Sequence, residues 1–375
     1  MIYLVSFIIS GFFAYFASRV KSRLKFVTLS FFSIAILVVL AGLRDYNIGI
    51  DVMGYLTKEP YWAGAISSDS IFEYLKTYFK LGFSEPLFAV LLGLIAQFIG
   101  EYRVFLFVAH AIILTCIYIG AFRLKKYVSP TFILLVYYLL YYNHTLNIIR
   151  QHIAMAILFV ALADLLNGKY IKYCIFVFIA MLFHSTAIIS LGLLAVHLIL
   201  NFKHEKLEKF NPIHRKYSIV LGLTWIVFLF APLVKILVGL GILSRRYLFF
   251  LKNTTEPAII VSGMVFLGLI AAYFFREQMK QKCGQYDFFV MCSICYLILL
   301  QLAFTVAHGK RVALYFALSD IVTLGLIESS PTNKKTRRLV RIVILGICFV
   351  YWFYIYVWNN AGKTFPYVLG LWDVF

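Results

Sequence analysis

The chain has 375 residues, of which 63% are hydrophobic and only 14% are charged, and its mean hydropathy is +0.89. Because a soluble globular protein carries roughly a quarter charged residues, this composition excludes that class. The apolar residues fall in repeated runs of roughly 17 to 25 residues, the length at which a helix crosses a bilayer. The sequence therefore predicts an all-α, polytopic integral membrane protein.

The formal net charge of +19 would suit a nucleic-acid-binding protein, but the positions of the basic residues give another explanation. Lys and Arg of membrane proteins collect in cytoplasmic loops. Most of the 35 basic residues here lie in six short clusters between apolar runs. We therefore interpret the charge as topological and expect no nucleic acid partner. The clusters lie at 19–25, 123–126, 169–172, 203–216, 276–282 and 334–341.

Apolar segments predict about 12 transmembrane helices in a single domain spanning residues 1–375. If all the basic clusters lie inside the cell, the predicted spans before and after the apolar segment at about 86–99 already leave and re-enter the cytoplasm. This segment therefore cannot be a full crossing. Its length of about 14 residues instead predicts a re-entrant or interfacial helix. The predicted spans are 2–18, 26–43, 104–122, 130–147, 151–167, 171–183, 186–201, 217–240, 257–275, 287–306, 311–327 and 339–357.

The polar segments of the chain lie mainly on the predicted extracytoplasmic side. They include the loop 44–84 and the C-terminal tail 358–375, whereas the cytoplasmic loops are too short to fold a nucleotide-binding domain. There is no phosphate-binding GxxxxGK[ST] sequence. No pair of carboxylates is spaced as in DxD, and the six cysteines suit packing, not a metal site or a disulfide scaffold. We expect metal-independent chemistry without a cofactor, on the outer side.

Arg150 stands in a tight polar turn between two apolar segments. Asn147 and Gln151 flank it, so the turn offers several hydrogen-bond donors at membrane depth. A guanidinium presents a planar fork of N–H groups that suits phosphate oxygens. Arg150 is therefore the first candidate for binding an anionic group, and the alternative is a structural ion pair with an acidic residue elsewhere in the chain.

Three titratable residues are candidates for acid–base chemistry. His184 lies at the apex of a predicted helical hairpin and is either a general base or a buried residue that caps the turn. Asp51 lies in the loop that begins at the outer end of the second predicted span. Glu85 directly precedes Pro86 and the re-entrant segment, which holds it near the membrane.

Further basic residues occur on the side that the positive-inside rule depletes. Lys310 and Arg311 follow a glycine at one outward turn, Arg245 lies in another, and Arg44 lies where the second predicted span ends. Single basic turns are usually anchors for lipid headgroups, and Arg44 in particular also suits interfacial snorkelling. Their number on one face favours an anionic ligand in the outer leaflet.

These motifs, in this order, resemble those of EpsG-like bacterial polysaccharide polymerases, which are similar in role to Wzy-type O-antigen polymerases. The resemblance covers roughly residues 1 to 370 and depends on the order of the motifs more than on any single one. One departure is Gly54, where the family pattern suggests Asn before Tyr55. The matching residues are Arg44, Gly49, Asp51 and Tyr55; Ser84-Glu85-Pro86; Asn147, Arg150, Gln151 and Ala154; Phe183-His184-Ser185 and Ala187; Arg311, Tyr315 and Phe316; and Phe365-Pro366-Tyr367.

The resemblance implies that oligosaccharide repeat units, each carried on undecaprenyl diphosphate, are joined at the outer face of the bacterial inner membrane. Because the leaving diphosphate gains negative charge, preplaced cations would accelerate transfer. The diphosphate ligands expected are Arg44, Arg150, Arg311, Lys310 and Arg245. The catalytic residues expected are His184, Asp51 and Glu85, and the sugar-binding residues are Tyr55, Asn147, Gln151 and Tyr315.

Two other functions fit the same sequence. A flippase or other transporter of lipid-linked saccharides would move the unit across the bilayer, but the chain has no internal repeat and its charges gather at one face. A membrane ligase or acyltransferase would use His184 on a different acceptor. For the polymerase, expected partners are membrane lipids, the lipid-linked oligosaccharide, and chain-length regulator and flippase proteins. Similarity to C-type lipid-linked glycosyltransferases is limited to topology and substrate.

Overall fold

A computed structural model describes residues 1–202, 212–240, 258–304, 306 and 309–370. Within these ranges the chain is helical, and the only β-type pairing is an isolated antiparallel bridge between Arg44 and Leu369. The all-α class predicted from composition is confirmed. Arg245 and the segment 371–375 of the predicted tail lie outside the described residues.

The helices follow one another with short connections. Several are extended by π- or 3₁₀-helical turns, notably at Tyr138–Tyr142, Ser185–Ser190 and Phe353–Trp358. The α-helices are α1 Ile2–Ala17, α2 Arg23–Gly42, α3 Ile50–Thr57, α4 Trp62–Ser67, α5 Ile71–Lys80, α6 Pro86–Phe98, α7 Tyr102–Arg123, α8 Pro130–Tyr137, α9 Asn143–Thr145, α10 Ile149–Leu166, α11 Tyr170–Phe183, α12 Leu191–Asn201, α13 Pro212–Ile226, α14 Phe230–Gly239, α15 Ile259–Phe274, α16 Arg276–Lys282, α17 Tyr286–Leu300, α18 Lys310–Ser329 and α19 Lys334–Trp352.

Six of the described helices are long and apolar enough to cross a membrane, or seven if the bent pair of α15 and α16 counts as one span. Several other predicted spans are helical but shorter, as in α1 and α11, or are interrupted, as where a π-turn follows α8. The count of 12 is therefore not confirmed and stays a prediction. The segment predicted at about 86–99 is the short apolar helix α6. The six long helices are Arg23–Gly42, Tyr102–Arg123, Ile149–Leu166, Tyr286–Phe304, Lys310–Ser329 and Lys334–Trp358.

The described residues form two compact units. The first comprises Met1–Ile188 and Ile342–Phe375, and α10 lies at its centre against α7 and α11. Gly120 on α7 leaves room for Phe159 on α10, since a Cβ at Gly120 would overlap the aromatic ring. Close approach at small residues is how helices associate in a membrane, where lipid tails are as apolar as the side chains.

The second unit comprises Ile189–Arg341, and α17 packs along α18 within it. The hydroxyls of Ser293 and Thr323 lie 2.9 Å apart across this helix pair. Arg341 donates from Nε to Glu328 at 2.8 Å, which joins the start of α19 to the end of α18. Polar pairs of this kind link helices whose remaining surface is apolar.

Hydrogen bonds hold the C-terminal tail against the first residues of the loop 44–84. The N–H of Asp45 donates to the carbonyl of Val368 at 3.0 Å, and that of Gly370 donates to Leu43 at 2.9 Å. The phenol of Tyr3 donates to the Thr364 carbonyl at 2.7 Å. The tail thereby fixes the backbone from which α3 begins, although the two segments lie at opposite ends of the sequence.

An ion pair between helix ends should contribute measurably to stability. Asp164 accepts two hydrogen bonds of 2.8 Å from the guanidinium of Arg123, and the Lys172 ammonium lies 3.4 Å from it. Asp164→Ala would remove the hydrogen bonds between the buried carboxylate and two partly exposed cations, so we expect a loss of about 1.5 to 3 kcal/mol in unfolding free energy. Thermal unfolding in detergent measures it. The exposed pair Arg276–Glu277 supplies the control, because Glu277→Ala should change stability little. Equal effects of the two variants would contradict the assignment.

Candidate functional site

Three separate segments of the first unit meet at Glu85. Glu85 is the residue before α6, and Pro86 begins that helix at a position where its missing N–H costs nothing. Arg150 is the second residue of α10, and His184 ends α11 with an extended backbone. The tight turn before Arg150 and the break after α11 thus place one cation and one imidazole beside the same carboxylate.

The Glu85 carboxylate is nearly buried and has both oxygens engaged. Oε2 accepts from Arg150 Nη1 at 2.9 Å and from the Tyr78 hydroxyl at 3.4 Å. Oε1 lies 3.2 Å from His184 Nδ1, and the backbone N–H of Ser185 also donates to the carboxylate. Only 8% of the Glu85 side chain is exposed, so these contacts replace its hydration.

These contacts determine the charge of Glu85 and the tautomer of His184. Burial alone would raise the pKa of Glu85, but the hydrogen bond from His184 and the charge of Arg150 outweigh it and hold the pKa below its usual range. Glu85 is therefore ionised at neutral pH and can only accept hydrogen bonds. Nδ1 of His184 must then carry the proton, which leaves the lone pair of the neutral ring on Nε2.

Arg150 is held by aromatic side chains as well as by Glu85. Its Nε donates to the Tyr55 hydroxyl at 3.2 Å. The guanidinium carbon lies 5.3 Å from the ring centre of Tyr61, 5.5 Å from Phe88 and 5.6 Å from Tyr55, within the range of cation–π attraction. Its side chain is 19% exposed. The structural ion pair considered for Arg150 is thus present, and it lies beside a candidate base.

Asp51 and Tyr55 share α3, one helical turn apart. Burial raises the pKa of Tyr55 while the charge of Arg150 lowers it, and the negative charge of Asp51 adds to the upward shift. Asp51 itself is half-buried. Asp51 therefore lies near the aromatic residues that surround Arg150, whereas the candidate base that contacts Glu85 is His184.

Arg44 is enclosed in the protein instead of facing an open site. It is 0% exposed, and its guanidinium donates to the carbonyls of Ala41 at 2.9 Å and Leu146 at 3.2 Å, with His110 Nε2 at 3.4 Å. Burial lowers its pKa. In this structure Arg44 ties the end of α2 to the turn before α10, so its predicted contact with a diphosphate is not supported by its surroundings.

Two predicted sugar-binding residues also lie in the interior. Asn147 is 7% exposed, and its Oδ1 accepts from the backbone N–H of Ile50 at 2.6 Å, which fixes the start of α3. A Cβ at Gly362 would overlap the amide of Asn147, so the tail lies directly against it. Gln151 is 2% exposed. Both side chains are thus almost completely enclosed by the protein.

The remaining predicted ligands belong to the second unit. Lys310 is exposed and Arg311 is half-buried at the start of α18, while Tyr315 is 3% exposed one turn further along. Arg245 lies outside the described residues. Arg150, Glu85, His184 and Tyr55 are thus the predicted residues that the structure brings into direct contact.

Several residues at this site are absent from the sequence-based set. Tyr78 contacts Glu85, and Phe88 lies against Arg150. His144 Nδ1 lies 3.0 Å from Nε2 of His152, which is two residues after Arg150. The spacing of Tyr74 and Tyr78 on one face of α5 is a signal for burial, but nothing in the sequence indicates what that face contacts.

The part of the chain described by the structure contains no cluster of side chains suited to metal binding. No group of three or more His, Cys, Asp or Glu side chains there is placed to hold a metal ion. Metal-independent chemistry stays a prediction. The chemistry available at the described site is that of one guanidinium, one ionised carboxylate and one imidazole with a basic Nε2.

Together, the fold and the site define a multi-pass membrane protein with an Arg–carboxylate–His group at the ends of its helices. A sequence comparison matches residues 27–369, nearly the whole chain, to the EpsG family. The chain belongs to this family of Wzy-like polysaccharide polymerases, as the order of motifs suggested. No curated protein and no solved structure matches the chain.

The lowered pKa of Glu85 predicts a pH-dependent part of the stability. The unfolded side chain titrates near 4.3, so the ionised group stabilises the fold fully above that pH and loses its effect as pH falls through the lower folded pKa. Glu85→Gln lacks this contribution. The melting temperatures of the unmodified protein and Glu85→Gln should differ by a constant amount between pH 5 and 7, a range that begins about a unit above the pKa of the unfolded side chain. The two melting temperatures should converge in more acidic buffer. A difference that grows in acid would contradict this sign.

Proposed function

We propose that the protein joins oligosaccharide repeat units, each linked to undecaprenyl diphosphate, into a long polysaccharide such as O-antigen, capsule or exopolysaccharide. Family membership supports a polysaccharide-polymerase role in general. The observation that carries the more specific proposal is the contact of one ionised carboxylate, Glu85, with both Arg150 and His184. Such a group can bind a leaving diphosphate and deprotonate an acceptor within the same site.

Arg150 is assigned to the diphosphate. As the bond between the anomeric carbon and the diphosphate oxygen breaks, negative charge accumulates on the leaving group, and a preplaced guanidinium stabilises it. The aromatic rings around Arg150 restrict its orientation and lower its contact with water, which strengthens the interaction with an anion. Lys310, Arg311, Arg245 and Arg44 stay predicted ligands of the same group, and the contacts above favour Arg150.

His184 is assigned as the base that activates the acceptor sugar. Its Nε2 takes the proton of the acceptor hydroxyl, the hydroxyl oxygen forms a bond to the anomeric carbon, and the diphosphate leaves with the electron pair of the broken bond. Glu85 holds Nδ1–H and stabilises the imidazolium that results. Glu85 is thus a positioning residue in this scheme. Asp51 stays the second candidate base.

The proposed substrate explains the surroundings of the site. Tyr55 and Tyr61 present aromatic rings beside Arg150, and such rings stack on the apolar faces of sugars. An isoprenoid tail is compatible with the apolar helices of the first unit. We place the active site at the periplasmic or external face of the inner membrane, where a flippase would supply the lipid-linked units and a chain-length regulator would act on the product.

A membrane ligase is the second candidate, because an imidazole oriented by a carboxylate would equally deprotonate a different acceptor. Reconstitution with lipid-linked repeat units alone separates the two functions. A polymerase lengthens its product by whole repeat units under these conditions. A ligase needs its own acceptor and leaves the units unchanged.

Arg150→Ala should remove most of the polymerase activity. Loss of one donor to a developing negative charge costs about 2.7 to 4 kcal/mol, or about 10² to 10³ in rate. The assay is polymer length in proteoliposomes supplied with lipid-linked units, and cells should accumulate single units outside. Arg276→Ala is the control, because that arginine belongs to the second unit and is exposed.

The Arg150 variant also leaves Glu85 without its cation, so folding must be tested separately. In the double variant Arg150→Ala with Glu85→Gln no unpaired carboxylate remains. We expect it to regain thermal stability but not activity. Polymer formation by the double variant would contradict the role of Arg150, and single units that accumulate inside the cell would indicate a transport function instead.

His184→Gln should lower kcat because no group then takes the acceptor proton. General-base catalysis contributes about 10² to 10⁴ in rate, so kcat should fall by about that factor. Tyr78→Phe is the control, since it removes a single 3.4 Å hydrogen bond to Glu85. Unchanged kcat in His184→Gln would transfer the role of base to Asp51.

A further inference from the structure

Helix α5, Ile71–Lys80, has two faces of opposite environment. Tyr74 and Tyr78 are buried at 1% and 0% exposure, and they pack against α6. On the other side Phe72 is 81% exposed and Phe79 is 46% exposed. Exposing Phe72 and Phe79, about two helical turns apart, to water is unfavourable, and the opposite face of α5 is already buried.

Basic residues accompany these aromatic side chains. Phe72, Lys76 and Phe79 follow one another at spacings of four and three, so they share one side of the helix, and Lys80 is the next residue. Both lysines are exposed. The one acidic residue of α5, Glu73, accepts a hydrogen bond from the backbone N–H of Asp69 and so belongs to the helix cap. The side that contains Phe72, Lys76 and Phe79 is therefore apolar and cationic.

The apolar surface continues onto the adjacent helix. Tyr78 contacts Glu85 at the start of α6, whereas a Cβ at Gly93 would lie against Tyr74 and Ile71, so the two helices run antiparallel. Phe72 is thereby placed toward the C-terminal end of α6. That end exposes Leu94 at 42% and Phe98 at 78%.

The position of α5 in the sequence distinguishes this surface from the lipid-facing sides of the spans. Exposed apolar residues of a transmembrane helix are covered by lipid tails, but α5 has only 10 residues and carries three charges. It cannot cross a bilayer. A short helix with aromatic residues and lysines on one side lies in the plane of the membrane surface, where the rings enter the boundary and the ammonium groups meet phosphates.

We propose that α5, with the end of α6, docks on the anionic lipid headgroup surface of the bilayer. Phe72 and Phe79 enter the boundary between headgroups and acyl chains, and Lys76 and Lys80 bind lipid phosphates. The opposite face of α5 carries Tyr78 to Glu85, so docking holds the Arg150–Glu85–His184 site at headgroup depth. The polar loop 44–84 thus contains a membrane-associated helix. This inference is independent of the reaction proposed above.

Fluorescence quenching on the full chain in vesicles tests the proposal. The more accessible Cys116 and Cys174 are first replaced by Ser, and the other four native cysteines are buried. The added cysteine of Phe72→Cys is then the one that carries an NBD label. We expect quenching by lipid-borne doxyl groups and protection from iodide in the aqueous phase. A label at Glu73→Cys, the neighbouring exposed polar position, is the control and should show several-fold more quenching by iodide.

Lipid charge tests the role of the lysines. Adding phosphatidylglycerol to phosphatidylcholine vesicles should increase the protection of the label at position 72, and Lys76→Gln with Lys80→Gln should abolish that increase. The matched control is Lys334→Gln with Lys335→Gln, an exposed lysine pair at the start of α19.

Three results would overturn the proposal. The first is equal iodide quenching at positions 72 and 73, which would place the aromatic side of α5 in water. The second is equal protection in the two lipid compositions, which would exclude recognition of anionic headgroups. The third is protection that disappears on dilution of protein in lipid, which would indicate a second copy of the chain as the occupant. No outcome depends on polymerase activity, so failure here and failure of the proposed reaction are distinguishable.

Discussion

The site depends on a single buried carboxylate that is shared by two partners. A carboxylate removed from water is costly unless its lone pairs accept hydrogen bonds, preferably from a cation. Glu85 meets this requirement through Arg150, His184, Tyr78 and the backbone of Ser185. Each of these groups belongs to a different helix or turn. The need to satisfy Glu85 therefore fixes how the starts of α6 and α10 and the end of α11 approach one another.

A second polar group supports this site. Arg44 and Asn147 bond to backbone atoms, the Thr364 carbonyl accepts from the Tyr3 phenol, and Arg44, Asn147 and Thr364 are almost fully buried. They join the end of α2, the start of α3 and the turn before α10, which carries Arg150. Interior polar contacts of this kind are costly to leave unsatisfied, so they specify one arrangement of these segments. Arg44 and Asn147, which the sequence suggested as ligands, thus serve here to keep the turn before Arg150 in place.

The sequence predicted the all-helical class, because apolar length and flanking charge are local properties. The break at His184 between α11 and the following helical turn agrees with the hairpin expected there. The π-turn Tyr138–Tyr142 was not predicted, because it depends on which neighbouring helices supply hydrogen bonds. Arg150, Glu85 and His184 were each identified from the sequence. Their shared contact was not, since Glu85 is 65 residues from Arg150 and 99 from His184. The burial of Arg44 was not predicted either, because a guanidinium suits backbone carbonyls and phosphates equally.

The balance of charge at Glu85 relates the two halves of the proposed reaction. Before substrate binds, the charges of Arg150 and Glu85 compensate each other across their 2.9 Å contact. In the proposed reaction His184 takes the acceptor proton, and the imidazolium becomes a second counterion of Glu85 through the existing contact at Oε1. The charge of Arg150 is then less compensated and stabilises the negative charge that develops on the leaving group in the same step. Proton transfer and departure of the diphosphate thereby stabilise each other through one carboxylate.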